Sequence, residues 1–205
     1  MANEVFSDHA PRLIISDIDG TLLDRNHRVP KRNREVVARA VAAGSEFALA
    51  TGRPFRWIMP VLEQLTVRPV CVTSNGAVIY DSAEDRVLSA HELSPEALAE
   101  TVKVAAKVLE PHGGVGFGAE RAGGSVLDPV EELFVVESHY SENALFEGFG
   151  LVSVGELVSR PAVKLLILNT AFSAPELYEL IAPHIDSELA HVTYSMSEGV
   201  LEVAA

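Results

Sequence analysis

Cysteine is nearly absent: Cys71 stands alone in 205 residues. The chain therefore has no intrachain disulfide framework and no cysteine-based metal site, which suits a reducing compartment. Positive charge is also scarce. Sixteen Lys and Arg against 29 Asp and Glu leave a formal net charge of −13. A phosphate backbone needs a basic surface, so nucleic acid is disfavoured as the main partner. A small anionic ligand is not, because a few local donors or a metal override the overall field. No apolar run is long enough to span a membrane. The short one after Glu4 and Asp8 is neither a leader peptide nor a membrane helix, and the expected setting is cytoplasmic. The seven histidines never pair at i and i+4 or with cysteine, which argues against a histidine metal site. Residues 113–124 are glycine-rich but lack Gly-x-Gly-x-x-Gly at a strand–helix junction, so dinucleotide binding finds little support. Internal repeats and low-complexity segments are absent.

What is present reads as a globular chain. Hydrophobic residues make up 48% and charged residues 22%, enough for a real core in one domain or two small ones. The first eighty residues alternate strand and helix signals. Short apolar runs at 13–16, 47–50 and 70–73 read as buried strands. Between them, Pro30 opens a helix carrying Val36, Val37, Ala40 and Val41 and closed by Gly44, and a second helix carries Ile58, Val61, Leu62 and Leu65 with Pro60 as a kink. That alternation predicts βαβ units and a parallel sheet. Residues 77–80 and 87–88 flank a polar turn and predict a hairpin. Beyond it the pattern changes. Helices are expected from Ser94-Pro95-Glu96 to about 109 and from the capping box Ser173-Ala174-Pro175-Glu176 to about 181. Strands are expected near 115–117, 133–136, 163–168, 191–195 and 200–203. This gives an α/β core over 1–81, an inserted α+β module over 82–190, and 191–205 returning towards the core.

In open α/β sheets ligands bind at the carboxyl ends of the strands. The first strand end delivers Asp17-Ile18-Asp19-Gly20-Thr21-Leu22-Leu23, the second Thr51-Gly52-Arg53 and the third Ser74-Asn75-Gly76. A carboxylate nucleophile suits phosphoryl transfer, because a covalent aspartyl-phosphate splits one hard step into two. Its repulsion with an anionic phosphate requires a divalent cation and hydrogen-bond donors. A second carboxyl group two residues along is placed to protonate the leaving oxygen and then deprotonate water. Gly20 permits a sharp turn that brings N–H groups towards phosphate, and Thr51 offers a small hydroxyl donor. Asp-x-Asp alone is common in loops; the longer motif after an apolar strand is far more specific. Asn75-Gly76 is equally a favoured hairpin turn.

These residues resemble the haloacid dehalogenase (HAD) superfamily of phosphohydrolases, and within it the Cof-type branch with a C2 cap. The likeness rests on the Asp17–Leu23 heptapeptide, on Ala50-Thr51-Gly52-Arg53 and on Thr73-Ser74-Asn75-Gly76-Ala77. It implies a Rossmann-like core with an inserted cap that excludes bulk water and selects the leaving group. It also implies a magnesium-dependent phosphatase acting on a small phosphorylated metabolite, such as a sugar phosphate or a cofactor-related phosphate. Asp17 would be nucleophile and magnesium ligand; Asp19 would be general acid/base and a metal ligand through its carbonyl. Thr51 would bind the transferring phosphoryl group, Arg53 and Asn75 would line the entrance to the substrate site, and Gly20, Thr21, Gly52, Ser74 and Gly76 would add further phosphate or substrate contacts.

The family pattern continues with a lysine and an acidic metal loop, neither of which follows Val203 before Ala205. The core is thus expected to be incomplete, the Asp17 strand to keep an open edge available for self-association, and magnesium binding and turnover to be weak. Lys164, inside an apolar strand, does not match the family lysine and is expected to face solvent or a partner. Asp128, Glu131 and Glu132 read as a solvated acidic face, and Phe117, Phe134, Tyr140, Phe146 and Phe149 as core of the inserted module. Two alternatives stand beside the phosphatase: a non-catalytic binding or assembly module on a degenerate scaffold, and a phosphomutase.

Overall fold

A computed structural model describes residues 11–144 and 147–205, so Phe146 and the N-terminal Glu4 and Asp8 lie outside the described residues. The chain divides into two compact units between Ser89 and Ala90. In the first, β1 (Leu13–Asp17), α1 (Lys31–Ala42), β2 (Glu46–Ala50), α2 (Met59–Leu62), β3 (Val70–Thr73), β4 (Val78–Asp81) and β5 (Arg86–Ala90) follow in order. The five strands form one sheet in sequence order. β1, β2 and β3 run parallel, whereas β4 returns antiparallel to β3.

Local chemistry sets the boundaries. Helix α1 begins after Pro30, whose fixed φ leads into the first turn, and ends in a Schellman motif. There Gly44 takes a left-handed φ of 94°. Its N–H donates to the Val41 carbonyl, and the Ser45 N–H donates to that of Ala40, both at 3.0 Å. The helix expected around Ile58–Leu65 is shorter than its apolar spacing suggested. A 3-10 turn, Phe55–Ile58, precedes the single turn of α2. Pro60 has no N–H to give to a preceding turn, so an α-helix cannot run through it from that side.

The two faces of this sheet differ sharply. Cross-strand register puts Ser16, Leu49, Cys71 and Tyr80 on one face, and Ile15, Ala48 and Val70 on the other. The first face is the core: Phe47, Leu49, Cys71, Val78 and Tyr80 are buried, with Phe55 stacked on Tyr80. Burial pushes the Cys71 thiol up to about 12, and the nearby Asp81 charge adds to the shift. On the second face Leu13, Ile15 and Val70 remain 50%, 58% and 40% exposed. Strand order explains the asymmetry. Crossovers of one hand stepping in one direction, β1 to β2 to β3, lay both connecting helices on the same side.

The second unit contains α3 (Pro95–Leu109), β6 (Gly116–Glu120), α4 (Val130–Leu133), β7 (Phe134–Val136), α5 (Ser138–Glu142), β8 (Gly150–Leu151), α6 (Val154–Val158), β9 (Lys164–Leu168), α7 (Ala174–Ile181), β10 (His191–Thr193) and β11 (Val200–Ala204). Its sheet has the order β10-β11-β9-β6-β7-β8. Leu98, Val102, Ala105 and Leu109 of α3 and Leu177 and Ile181 of α7 pack with Phe117, Leu165, Ile167, Leu201 and Val203 from one sheet face. Phe134, Val136, Tyr140, Leu168 and Val200 form a smaller cluster, against which Phe149 packs. Ser94 caps α3 through the Ala97 N–H, and the Ser173–Glu176 capping box opens α7 as its sequence implied. The Ser173 hydroxyl and N–H both donate to the Glu176 carboxylate and hold its pKa below the ordinary range.

Four expectations change. The stretch 191–205 does not return to the first sheet: β11 pairs antiparallel with β9 and β10. Its Val200 and Leu201 point to opposite faces and both are buried, Leu201 in the larger apolar cluster and Val200 in the smaller. The unit boundary moves from 82 to 89/90, because β5 adds a fifth strand to the first sheet. Lys164 is buried, not solvent-facing, and its ammonium lies 2.8 Å from Glu202. Of the acidic trio, Asp128 is not merely solvated, since it accepts from the Gly124 and Ser125 N–H groups and closes a turn. No helix among the described residues is long and apolar enough to cross a membrane.

Two measurements check this packing. Leu49→Ala removes core volume and should cost about 2–5 kcal/mol in denaturant unfolding, whereas Ile15→Thr on the bare face should stay within about 1 kcal/mol of the parent. Tyr140 is 1% exposed, and its hydroxyl has no partner among the described residues. A buried unmade hydrogen bond costs about 1–3 kcal/mol, so Tyr140→Phe should leave the unfolding free energy unchanged or raise it.

Candidate active site

Parallel pairing brings three strand ends to one edge of the first sheet. Asp17, the last residue of β1, lies opposite Ala50, the last of β2, and Ala50 lies opposite Val72 in β3. The loops beyond are tied to one another. The Thr51 N–H donates to the Val72 carbonyl at 2.9 Å, the Ser74 N–H to the Arg53 carbonyl at 2.9 Å, and the Asn75 N–H to the Thr51 carbonyl at 3.3 Å. All of the residues singled out by sequence therefore sit on this edge: Asp17, Asp19, Gly20 and Thr21 from the first loop, Thr51, Gly52 and Arg53 from the second, and Ser74, Asn75 and Gly76 from the third.

The first loop is a single helical turn, Ile18–Leu22, broken inside by extended Asp19 and by Gly20 at φ 75°. Ile18, Leu22 and Leu23 are buried and anchor it, leaving Asp17, Asp19, Gly20 and Thr21 exposed. Farther along, Asp24 accepts N–H bonds from Arg28 and Asn26, which hold its carboxyl below the ordinary range and close the next turn. The third loop is a hairpin turn, as Asn75-Gly76 also suggested, but an unusual one. Ser74, Asn75 and Gly76 take φ values of 51°, 58° and 100° in succession. Left-handed backbone is strained for Ser74, is better tolerated by Asn75, and persists only where surroundings impose it. Ser74 is fully buried, whereas Asn75 is exposed.

Two contacts were not foreseen. Arg53 grips Asp19 across 34 residues of sequence: Nε donates to Oδ2 at 2.8 Å and Nη2 to Oδ1 at 2.5 Å. Opposite charges at the ends of adjacent parallel strands are the signal that anticipates this pair. The second involves Gly52, where a β-carbon would stand 2.5 Å from the Asn75 side-chain oxygen. Glycine is required there for Asn75 to lie as close as it does.

The donor set suits a hard divalent cation only in part. The Asp17 carboxylate has no hydrogen bond or ion pair among the described residues, while Asp19 is occupied by Arg53. No group of three His, Cys, Asp or Glu residues among the described residues converges to hold a metal. Magnesium does bind through one or two carboxylates completed by water and substrate phosphate, so Asp17 is a usable but minimal anchor.

The sequence pattern of the haloacid dehalogenase-like hydrolases matches residues 14–205. The chain belongs to that family. The haloacid dehalogenase-like chain is 37% identical over 70 residues to the phosphatase YwpJ of Bacillus subtilis, covering 34% of this chain and 25% of that protein. It is 35% identical over 91 residues to the HMP-PP phosphatase of Serratia proteamaculans, covering 44% of this chain and 32% of that one. Its fold matches a solved HAD subclass IIB sugar phosphatase with a TM-score of 0.64 and 19% identity, over 95% of this chain and 70% of that structure. The matches to the curated relatives thus span about a third of their length or less.

Gly52→Ala tests the loop packing. The β-carbon displaces only the far end of a flexible side chain, so unfolding stability should fall by no more than about 1 kcal/mol. The Asn75 side-chain amide resonance should nevertheless shift in the folded protein, and an unmoved resonance would contradict the contact.

Proposed function

We propose that this hydrolase cleaves the phosphate ester of a small phosphorylated metabolite through a phosphoaspartate on Asp17. The reading is carried by one observation: adjacent parallel strand ends deliver Asp17, whose carboxylate has no partner among the described residues, together with a second carboxylate, Asp19, a hydroxyl residue, Thr51, and a guanidinium, Arg53. An Asp17 oxygen attacks phosphorus and the bond to the leaving oxygen breaks. Asp19 supplies the proton that the leaving oxygen needs. Water then attacks the phosphoaspartate, Asp19 removes its proton, and inorganic phosphate departs with the Asp17 carboxylate restored. Thr51 and the N–H groups around Gly20 are the donors assigned to the phosphoryl oxygens. Magnesium, held by Asp17 and the Asp19 carbonyl, would offset the repulsion between nucleophile and phosphate.

The substrate class is narrowed by analogy with relatives named as a sugar phosphatase and an HMP-PP phosphatase. Sugar phosphates and cofactor-related phosphates are therefore the compounds to offer first. A phosphomutase would use the same nucleophile but return the phosphoryl group to its product.

Phosphate release from such a panel with magnesium is the direct test. Asp17→Asn should abolish release, and Asp19→Asn should lower kcat by about 10²–10⁴-fold, the usual worth of a general acid–base group. Isomerised sugar in place of inorganic phosphate would favour the mutase. Release that survives Asp17→Asn would remove the nucleophile assignment, and silence across the panel would favour an assembly module or a substrate outside the panel.

A further inference from the structure

The proposed chemistry leaves one contact unexplained. Asp19 is to carry a proton to and from oxygens at phosphorus, yet both of its carboxylate oxygens are engaged by Arg53. Its direction is then set by the guanidinium. The pair is not sealed in the core: the Asp19 side chain is 51% exposed and that of Arg53 28%. It can therefore open without burying an uncompensated charge. Arg53 has further donor capacity, since no bond from Nη1 occurs among the described residues.

Exchange of partners is chemically easy at such a site. A guanidinium presents a planar fork that fits carboxylate and phosphate alike. A phosphomonoester dianion carries more charge than a carboxylate and offers three oxygens, so it competes for the same fork. The backbone of Arg53 cannot follow the ligand. Its N–H donates to Thr51 Oγ1 at 3.2 Å, and its carbonyl accepts from the Ser74 N–H at 2.9 Å. What remains free to move is the side chain.

We infer that Arg53 is a ligand-released latch on Asp19: in the empty site it holds the carboxylate, and an arriving phosphoryl group takes the guanidinium and frees Asp19. This rests on the proposed phosphatase reading. Arg53 then serves as a positioning residue, coupling occupancy of the phosphate site to the availability of the acid–base group. Without a phosphoryl group Asp19 stays turned away from the reaction; with one bound, it is released beside the ester to be cleaved.

Competition of this kind leaves a signature in inorganic phosphate binding, measured calorimetrically without substrate on the full chain and on Asp19→Asn, Arg53→Gln and the double variant. Breaking the latch by Asp19→Asn should tighten phosphate about tenfold or more while Arg53 is present, within the usual range of site-to-site coupling. In the Arg53→Gln background the same change should tighten it by less than about threefold, the part due to charge repulsion alone. As a second readout, phosphate should move the Arg53 Nε–H resonance of the parent towards its position in Asp19→Asn. Equal effects in both backgrounds, no weakening on Arg53→Gln, an unmoved resonance, or no phosphate binding by the parent at tens of millimolar would each overturn the latch. Turnover lost with Asp17→Asn would leave the phosphatase reading standing after such a failure. A non-additive phosphate cycle without turnover would keep the exchange of Arg53 between Asp19 and phosphate and remove the phosphatase.

Discussion

Parallel pairing of β1, β2 and β3 is the constraint from which the rest of the first unit follows. Parallel neighbours end on the same side, with strands about 4.8 Å apart. Residues separated by a whole βα crossover thereby arrive side by side, as Asp17 does opposite Ala50. The pairing is held by one continuous apolar face containing Phe47, Leu49, Cys71 and Tyr80. Substitutions there would act on the site by loosening the alignment of three strand ends. The neutral, buried Cys71 thiol belongs to this scaffold and not to the chemistry.

That constraint also accounts for what was legible in the sequence. Short apolar runs followed by Asp-x-Asp-Gly-Thr, Thr-Gly-Arg and Ser-Asn-Gly identified the strand ends without any knowledge of tertiary contacts. The capping box at Ser173 and the glycine stop at Gly44 worked for the same reason, being local devices with local signals. Features set by distant partners did not show. The fork between Arg53 and Asp19 depends on which strands are neighbours. The inward turn of Lys164 depends on Glu202 arriving from a strand that sequence placed elsewhere. The short elements α4, α5, α6 and β8 are too brief for any periodicity to accumulate.

The bare sheet face has the same origin. A parallel sheet is normally covered on both sides, yet an order that steps only from β1 to β3 places its helices on one. Leu13, Ile15 and Val70 consequently contribute little burial to this unit. Asp17 shares their face, because alternate residues of β1 point the same way. The nucleophile assigned here therefore projects from the uncovered side of the sheet, at an edge strand, where nothing among the described residues holds its carboxylate. Its backbone is held by the pairing of β1 with β2 and by the buried Ile18 that follows it.

Elsewhere on the edge the opposite holds. Ser74 and Asn75 occupy left-handed backbone, which Asn tolerates and Ser disfavours, and such strain survives only where neighbours over-determine it. Here the neighbours are the carbonyls of Arg53 and Thr51, which accept from these two residues. The second and third loops are thus one hydrogen-bonded body. Arg53 is pinned within it at both its N–H and its carbonyl, so a ligand at this edge meets a rigid backbone from which one charged side chain can swing. These two loops are stiff in their backbone and loose at the Arg53 side chain. That division makes an exchange of ion-pair partners, and not a loop movement, the least costly response to a bound phosphate.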